Sequence, residues 1–244
     1  PGLVSLAAGC ILALRCRLST RPATASTVNS GVNGVAAPRR TQITVFAVIC
    51  LAALFGGLVF NAVTVSVPKF LDERLVALSG DLSWIGASAG MVFAVAAFAQ
   101  LPVGELLDRF GARLILIGLV VVQILLLASL SQLYGWPVMP LTLLLVTMMF
   151  AEIPITSWLL GRYVQSGLRS RAVSVEYVLS LGMGSVVVPL IAGMHGIGLG
   201  FDFQFVVLAA AACVVLVAAC FLPQAAYRQV RAGYRHGPVK QSKQ

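Results

Sequence analysis

Gly104-Glu105-Leu106-Leu107-Asp108-Arg109-Phe110-Gly111-Ala112-Arg113 is a short charged passage between two long apolar runs, 84–103 and 114–132. A connection this short leaves the helices it joins side by side and antiparallel. Gly104 is expected to let backbones approach closely, and Gly111 to take the left-handed conformation in which the chain reverses. Asp108, Arg109 and Arg113 would then sit at a membrane surface. The chain around the passage says why a membrane is meant. Of 244 residues, 59% are hydrophobic and 10% charged, whereas a soluble domain has about 25% charged residues. Mean hydropathy is +0.96. Apolar runs of roughly the 20 residues that cross a bilayer recur along the chain. The composition excludes an ordinary water-soluble fold and predicts an all-α, polytopic helical membrane protein.

Outward from the charged passage, six spans are predicted at about 43–67, 84–107, 113–132, 138–160, 173–194 and 203–222. Ahead of them, residues 1–14 are apolar but too short to cross, and Arg15 and Arg17 follow the run instead of preceding it as in a signal peptide. This stretch reads as the end of a truncated transmembrane helix. Residues 15–42 carry Arg15, Arg17, Arg21, Arg39 and Arg40, no acid, and many Ser, Thr, Gly, Asn and Pro. That is the composition of a basic cytoplasmic linker. Residues 223–244, with Arg228, Arg231, Arg235, Lys240 and Lys243, form a basic cytoplasmic tail. The net charge of +9 thus falls in loops, where it sets orientation and implies no nucleic-acid partner. Arg109, Arg162, Arg169 and Arg171 share the cytoplasmic side, with Arg113 at a span boundary. Lys69 and Arg74 lie on the other side beside Asp72, Glu73 and Asp81. Trp84 and Trp136 fall at outer boundaries, as interfacial aromatics do. Sidedness therefore predicts a cell-membrane protein with linker and tail in the cytoplasm. Five cysteines without metal spacing read as small apolar fillers, and neither metal nor cofactor is expected.

Chemistry should sit where charge is costly. Glu152 lies near the middle of the fourth span, where a carboxylate costs about 2.5–3.5 kcal/mol and so belongs in a cavity or beside a partner. It suits a proton carrier. The structural alternatives are an interhelical hydrogen bond or a pair with a cation from elsewhere. Pro154 loosens the local helix, and Thr156, one turn on, shares the face of Glu152. Asn61, with Gly57 and Thr64 on the same face of the first span, is either a substrate contact or interhelical glue. Gln100 and Gln123 read as interhelical hydrogen-bond partners. Glu176 reads as a first-turn acid stabilised by its helix dipole. Gly182, Gly184 and Ser185 predict close packing, and Pro189 a bend.

The pattern G-x-x-x-D-R-x-G-x-R over 104–113, in a tight connection between second and third spans, resembles the signature loop of the major facilitator superfamily. With the basic linker and six spans, the resemblance covers about 41–222. Glu105 replaces a usually small or apolar residue and Ala112 a usually basic one. The resemblance implies that this chain is the C-terminal six-helix half of a secondary transporter, joined in function to an N-terminal half. It implies rocker-switch alternating access, with a small-molecule substrate held between the halves, and the depth of Glu152 adds the expectation of proton coupling. First and fourth helices would line the cavity, putting Glu152, Asn61, Thr156 and Thr64 on it. Gly104, Asp108, Arg109, Gly111 and Arg113 would form the gating loop. Asp108 would dock on a helix start of the other half, with Arg109 and Arg113 holding that carboxylate or lipid head groups. Half a cavity should not transport alone.

Two rival readings stand beside this non-enzymatic one. Gly86-Ala87-Ser88-Ala89-Gly90 matches G-x-S-x-G, and His195 ends the fifth span, so an intramembrane serine hydrolase using Ser88 and His195 is conceivable. The nucleophile elbow needs a strand–turn–helix setting, however, and Gly86 with Gly90 reads equally as a GxxxG packing face. A pore would need rings of repeated polar residues, which the spans lack.

Overall fold

The computed structural model describes residues 39–75, 82–98, 100–164 and 166–222, and among them every regular element is helical. The apolar stretch 1–14, most of the linker and the tail 223–244 lie outside the described residues. Helix α1 (Arg39–Leu51) runs through a π-helical turn, Ala52–Gly56, into α2 (Gly57–Arg74). The last residues assigned to the linker, 39–42, are therefore helical. Helices α3 (Leu82–Ala97) and α4 (Gln100–Phe110) form the second span, and α5 (Ala112–Gln132) the third. Helices α6 (Val138–Tyr163), α7 (Ser166–Gly196) and α8 (Phe201–Cys220) are the fourth, fifth and sixth.

Six helices are long and apolar enough to cross a membrane: Thr41–Arg74, Trp84–Leu107, Ala112–Gln132, Val138–Tyr163, Arg169–Gly196 and Phe201–Cys220. The largest departure from the sequence expectation is the first, which passes Pro68 and continues to Arg74. Pro68 cannot donate to the Thr64 carbonyl, but tertiary packing holds the helix beyond it. Phe70 is fully buried, with ring centroids 5.6 Å from Phe201 and 4.7 Å from Phe205 in edge-on contacts. The second span changes helix near its middle because Pro102 has no N–H for the Phe98 carbonyl, which the Leu101 N–H takes instead at 3.2 Å.

The broadest interface joins α5 to α8, followed by α5 to α6, α2 to α7 and α3 to α6. Of the apolar windows of the third and sixth spans, 44% is buried, against 6% for the fifth. The fifth span therefore lies at the margin of this bundle and touches it along one narrow face.

That face is built from small residues. A Cβ on Gly57 would come within 2.9 Å of Ser180 Cα, so backbone of α2 meets backbone of α7 there. One turn along, a Cβ on Gly184 would lie 3.0 Å from Asn61 Oδ1. Gly182 has open space around it, as do Gly86, Gly90 and Gly104. The expected close approaches at Gly104 and along Gly86/Gly90 are thus absent among the described residues. The positive φ expected at Gly111 is present. Gly111 alone separates α4 from α5, with φ +82° and ψ 146°, a region open essentially to glycine and distinct from the left-handed helical one.

One end of the bundle is fastened through Arg74, which sequence reading places in an exposed loop beside acids. Its side chain is 4% exposed and ion-paired with Asp202 at the start of α8. It also donates to the Leu133 carbonyl at 3.2 Å and stacks over the Tyr134 ring, 3.7 Å from the centroid. Deeper in, Gln204 donates to the Ser66 hydroxyl at 2.6 Å, a second tie between the first and sixth spans.

Candidate functional site

A mid-membrane carboxylate needs neighbours that tolerate it, and the first span supplies a backbone irregularity. Glu152 is half-buried on α6, and a Cβ on Gly56 would lie 3.3 Å from its Oε1. Gly56 closes the π-helical turn. The carboxylate therefore reaches the irregular backbone of the first span at a position where only a missing side chain leaves room. Such π turns recur at functional sites because they re-aim the groups around them. No hydrogen bond or ion pair engages the Glu152 side chain among the described residues. A bond to a neighbouring helix, one structural alternative raised by the sequence, is thus absent among the described residues.

Thr156 donates to the Ile153 carbonyl at 3.0 Å and also engages the Glu176 carboxyl of α7. Glu176 is not a first-turn acid. Helix α7 starts at Ser166, so the residue lies well inside the helix, beyond the reach of end effects. Cys50 of α1 is within electrostatic reach of it. Spans one, four and five thus place Cys50, Gly56, Glu152, Thr156 and Glu176 around one polar region. Sequence reading found Glu152 and Thr156 there. It missed Gly56, whose only signal is the Gly56-Gly57 pair inside an apolar run, and Cys50, which has none.

Asn61 divides from this group. Its amide donates to Gly57 O at 2.7 Å and to Ser180 O at 3.1 Å, which makes it interhelical glue between α2 and α7. The Thr64 hydroxyl is spent on the Phe60 carbonyl of its own turn at 2.7 Å. Gln123 is buried on α5 and Gln100 half-buried on α4.

In the 104–113 passage, Arg109 pairs with Glu105 one turn back at 2.5 Å, both side chains exposed. Glu105, a departure from the superfamily pattern, is therefore the partner of Arg109. The Asp108 side chain lies outside the described residues. Arg113 is half-buried at the start of α5. Ser88 is buried on α3, whereas His195 donates from Nδ1 to the Ile191 carbonyl at 3.1 Å and packs edge-on against Phe201. No hydrogen bond joins Ser88 to His195 among the described residues.

Six helices long and apolar enough to cross a membrane, one with a carboxyl group near its middle, define a polytopic helical membrane protein. Comparison with family models, curated proteins and solved structures returned no match.

Proposed function

We propose that the chain is one six-helix half of a secondary active transporter of the major facilitator type. It moves a small neutral or cationic organic solute, coupled to protons, by alternating access. The observation that carries this reading is Glu152, a mid-span carboxylate against the π-helical turn at Gly56 with no described partner. A charge at that depth is costly unless its gain and loss of a proton is used. The charge distribution supports the substrate class. Lys69, Arg74, Arg109, Arg113, Arg162, Arg169 and Arg171 all lie near span ends, so this wall gives an anion nothing to pair with at mid-depth. Orientation follows the cationic bias, with the Arg109 and Arg162 ends in the cytoplasm. The partners are protons, the solute, the bilayer and a second six-helix half that completes the cavity.

The test uses vesicles in which the chain is produced with its partner half, loaded with a panel of neutral and cationic solutes. Glu152→Gln is expected to abolish accumulation driven by a pH gradient while leaving counterflow exchange partly intact, since glutamine mimics the protonated acid. A Gln variant that still concentrates solute as the unmodified protein does overturns the proton claim. Robust flux through the chain alone overturns the half-transporter reading.

A further inference from the structure

Glu176 is a second acid inside the membrane that the proposed function leaves without a task. It lies seven residues past the start of the fifth span at Arg169, about 10 Å in from that end. Glu152 lies eleven residues before the end of the fourth span at Tyr163, about 16 Å in from the same end. Between them stands Thr156, one turn from Glu152 and in contact with the Glu176 carboxyl. Glu176 and Thr156 lie at about the same depth, each seven residues from its span end, and Glu152 lies one turn deeper, measured from the end that carries Arg109, Arg162 and Arg169.

We propose that Glu176 is the proton-loading group for Glu152, with Thr156 as the positioning residue between them. This rests on Glu152 being the proton site proposed above. A proton from the bath at that end neutralises the Glu176 carboxylate. The acid then gives its proton to the Thr156 oxygen as the hydroxyl passes its own on, which restores the Glu176 carboxylate and leaves Glu152 neutral. The turn between Thr156 and Glu152, about 6 Å along the axis, is a distance that one bridging water covers. Hydroxyls serve such a relay because they donate and accept at one atom.

The surroundings of Glu176 suit a group that must change charge. The first span brings Cys50 near it, and the fourth brings Thr156, with Arg162 and Tyr163 beyond at the helix end. On its own helix Arg169 and Arg171 precede it, and the Arg169 guanidinium lies against Gly161. No ion pair among the described residues holds Glu176. A locked salt bridge would fix its charge, and none does.

The experiment needs neither solute nor partner half. The chain is placed in lipid nanodiscs, a photolabile acid releases protons, and infrared spectroscopy follows the protonated-carboxyl band, assigned to Glu152 by its loss in Glu152→Gln. Glu176→Gln is expected to slow the rise of that band about tenfold or more, the scale of removing one proton-transfer group. Its final amplitude should change little, and added azide, a small diffusible acid, should restore the rate. Thr156→Val should also slow the rise and Thr156→Ser should not. Thr156→Val decides the matter if Glu176→Gln does not insert. An unaltered rate in either variant overturns the proposal, as does a slowing in Glu176→Gln that azide leaves in place. If no band is lost in Glu152→Gln, Glu152 does not titrate, and the proton reading of the whole site falls with its loading route.

Discussion

Arg74 shows how a single side chain changes meaning once its partners are known. In the sequence it is one cation beside two acids, Asp72 and Glu73, at the end of an apolar run. In the structure its partners are Leu133 and Asp202, 59 and 128 residues away, and its near neighbour Glu73 pairs with Lys69 instead. No local pattern encodes such contacts, so they were not legible. Glu152 was legible because a lone acid in an apolar run needs no partner to be noticed. The burial asymmetry at Arg74 makes a testable prediction. Its side chain is 4% exposed and that of Asp202 52%, so removing the acid strands a buried charge while removing the cation strands a half-solvated one. Asp202→Ala should therefore cost about 3 kcal/mol, and Arg74→Met, which keeps the volume, about 1–2 kcal/mol. Thermal unfolding in detergent measures both. Equal losses would mean the pair contributes only as packing.

At the scale of the helix, hydropathy located the six spans among the described residues, because crossing a bilayer imposes length and apolarity on consecutive residues. It could not locate contacts between spans, since lipid and neighbouring helices are equally apolar. Gly57, Gly182 and Gly184 look alike in the sequence. Only the structure separates Gly57 and Gly184, which are in contact with the opposite helix, from Gly182, which faces open space. Gly57→Ala should push the first and fifth spans apart at a cost of about 1–3 kcal/mol, the usual penalty of overpacking. Gly182→Ala should leave stability unchanged or raise it slightly, because alanine is the better helix former. Parallel melts of the two variants in the same detergent decide it, and similar losses in both would place the contact elsewhere.

At the scale of the molecule, the placement of cations remains the guide to orientation. The ends carrying Arg74, Asp202 and Leu133 meet at one side of the bundle, as six alternating crossings require. The ends with Arg109, Arg162 and Arg169 belong to the other. Arg113→Cys should thus react with a membrane-impermeant maleimide only from the cytoplasmic side, and Trp136→Cys only from the outside. The reverse pattern would refute the assigned orientation while leaving the bundle intact. The fifth span, with 6% of its apolar window buried, has most of its surface left for lipid or for a second half.

The π-helical turn at Ala52–Gly56 also has a meaning in register. A π turn holds one residue more than the α turn it replaces, so it amounts to a single-residue insertion absorbed without lengthening the hydrogen-bond ladder elsewhere. Deleting Phe55 would let the first span close into continuous α-helix while the segments on either side keep nearly the same faces, because five residues at a π pitch turn about as far as four at an α pitch. Cys50 would stay near Glu176, and Val45, Val48 and Ile49, all buried now, would stay turned toward the bundle. The deletion variant should still insert and keep its bundle, because its length, apolarity and buried faces hardly change, but Gly56 would no longer present an irregular backbone to Glu152.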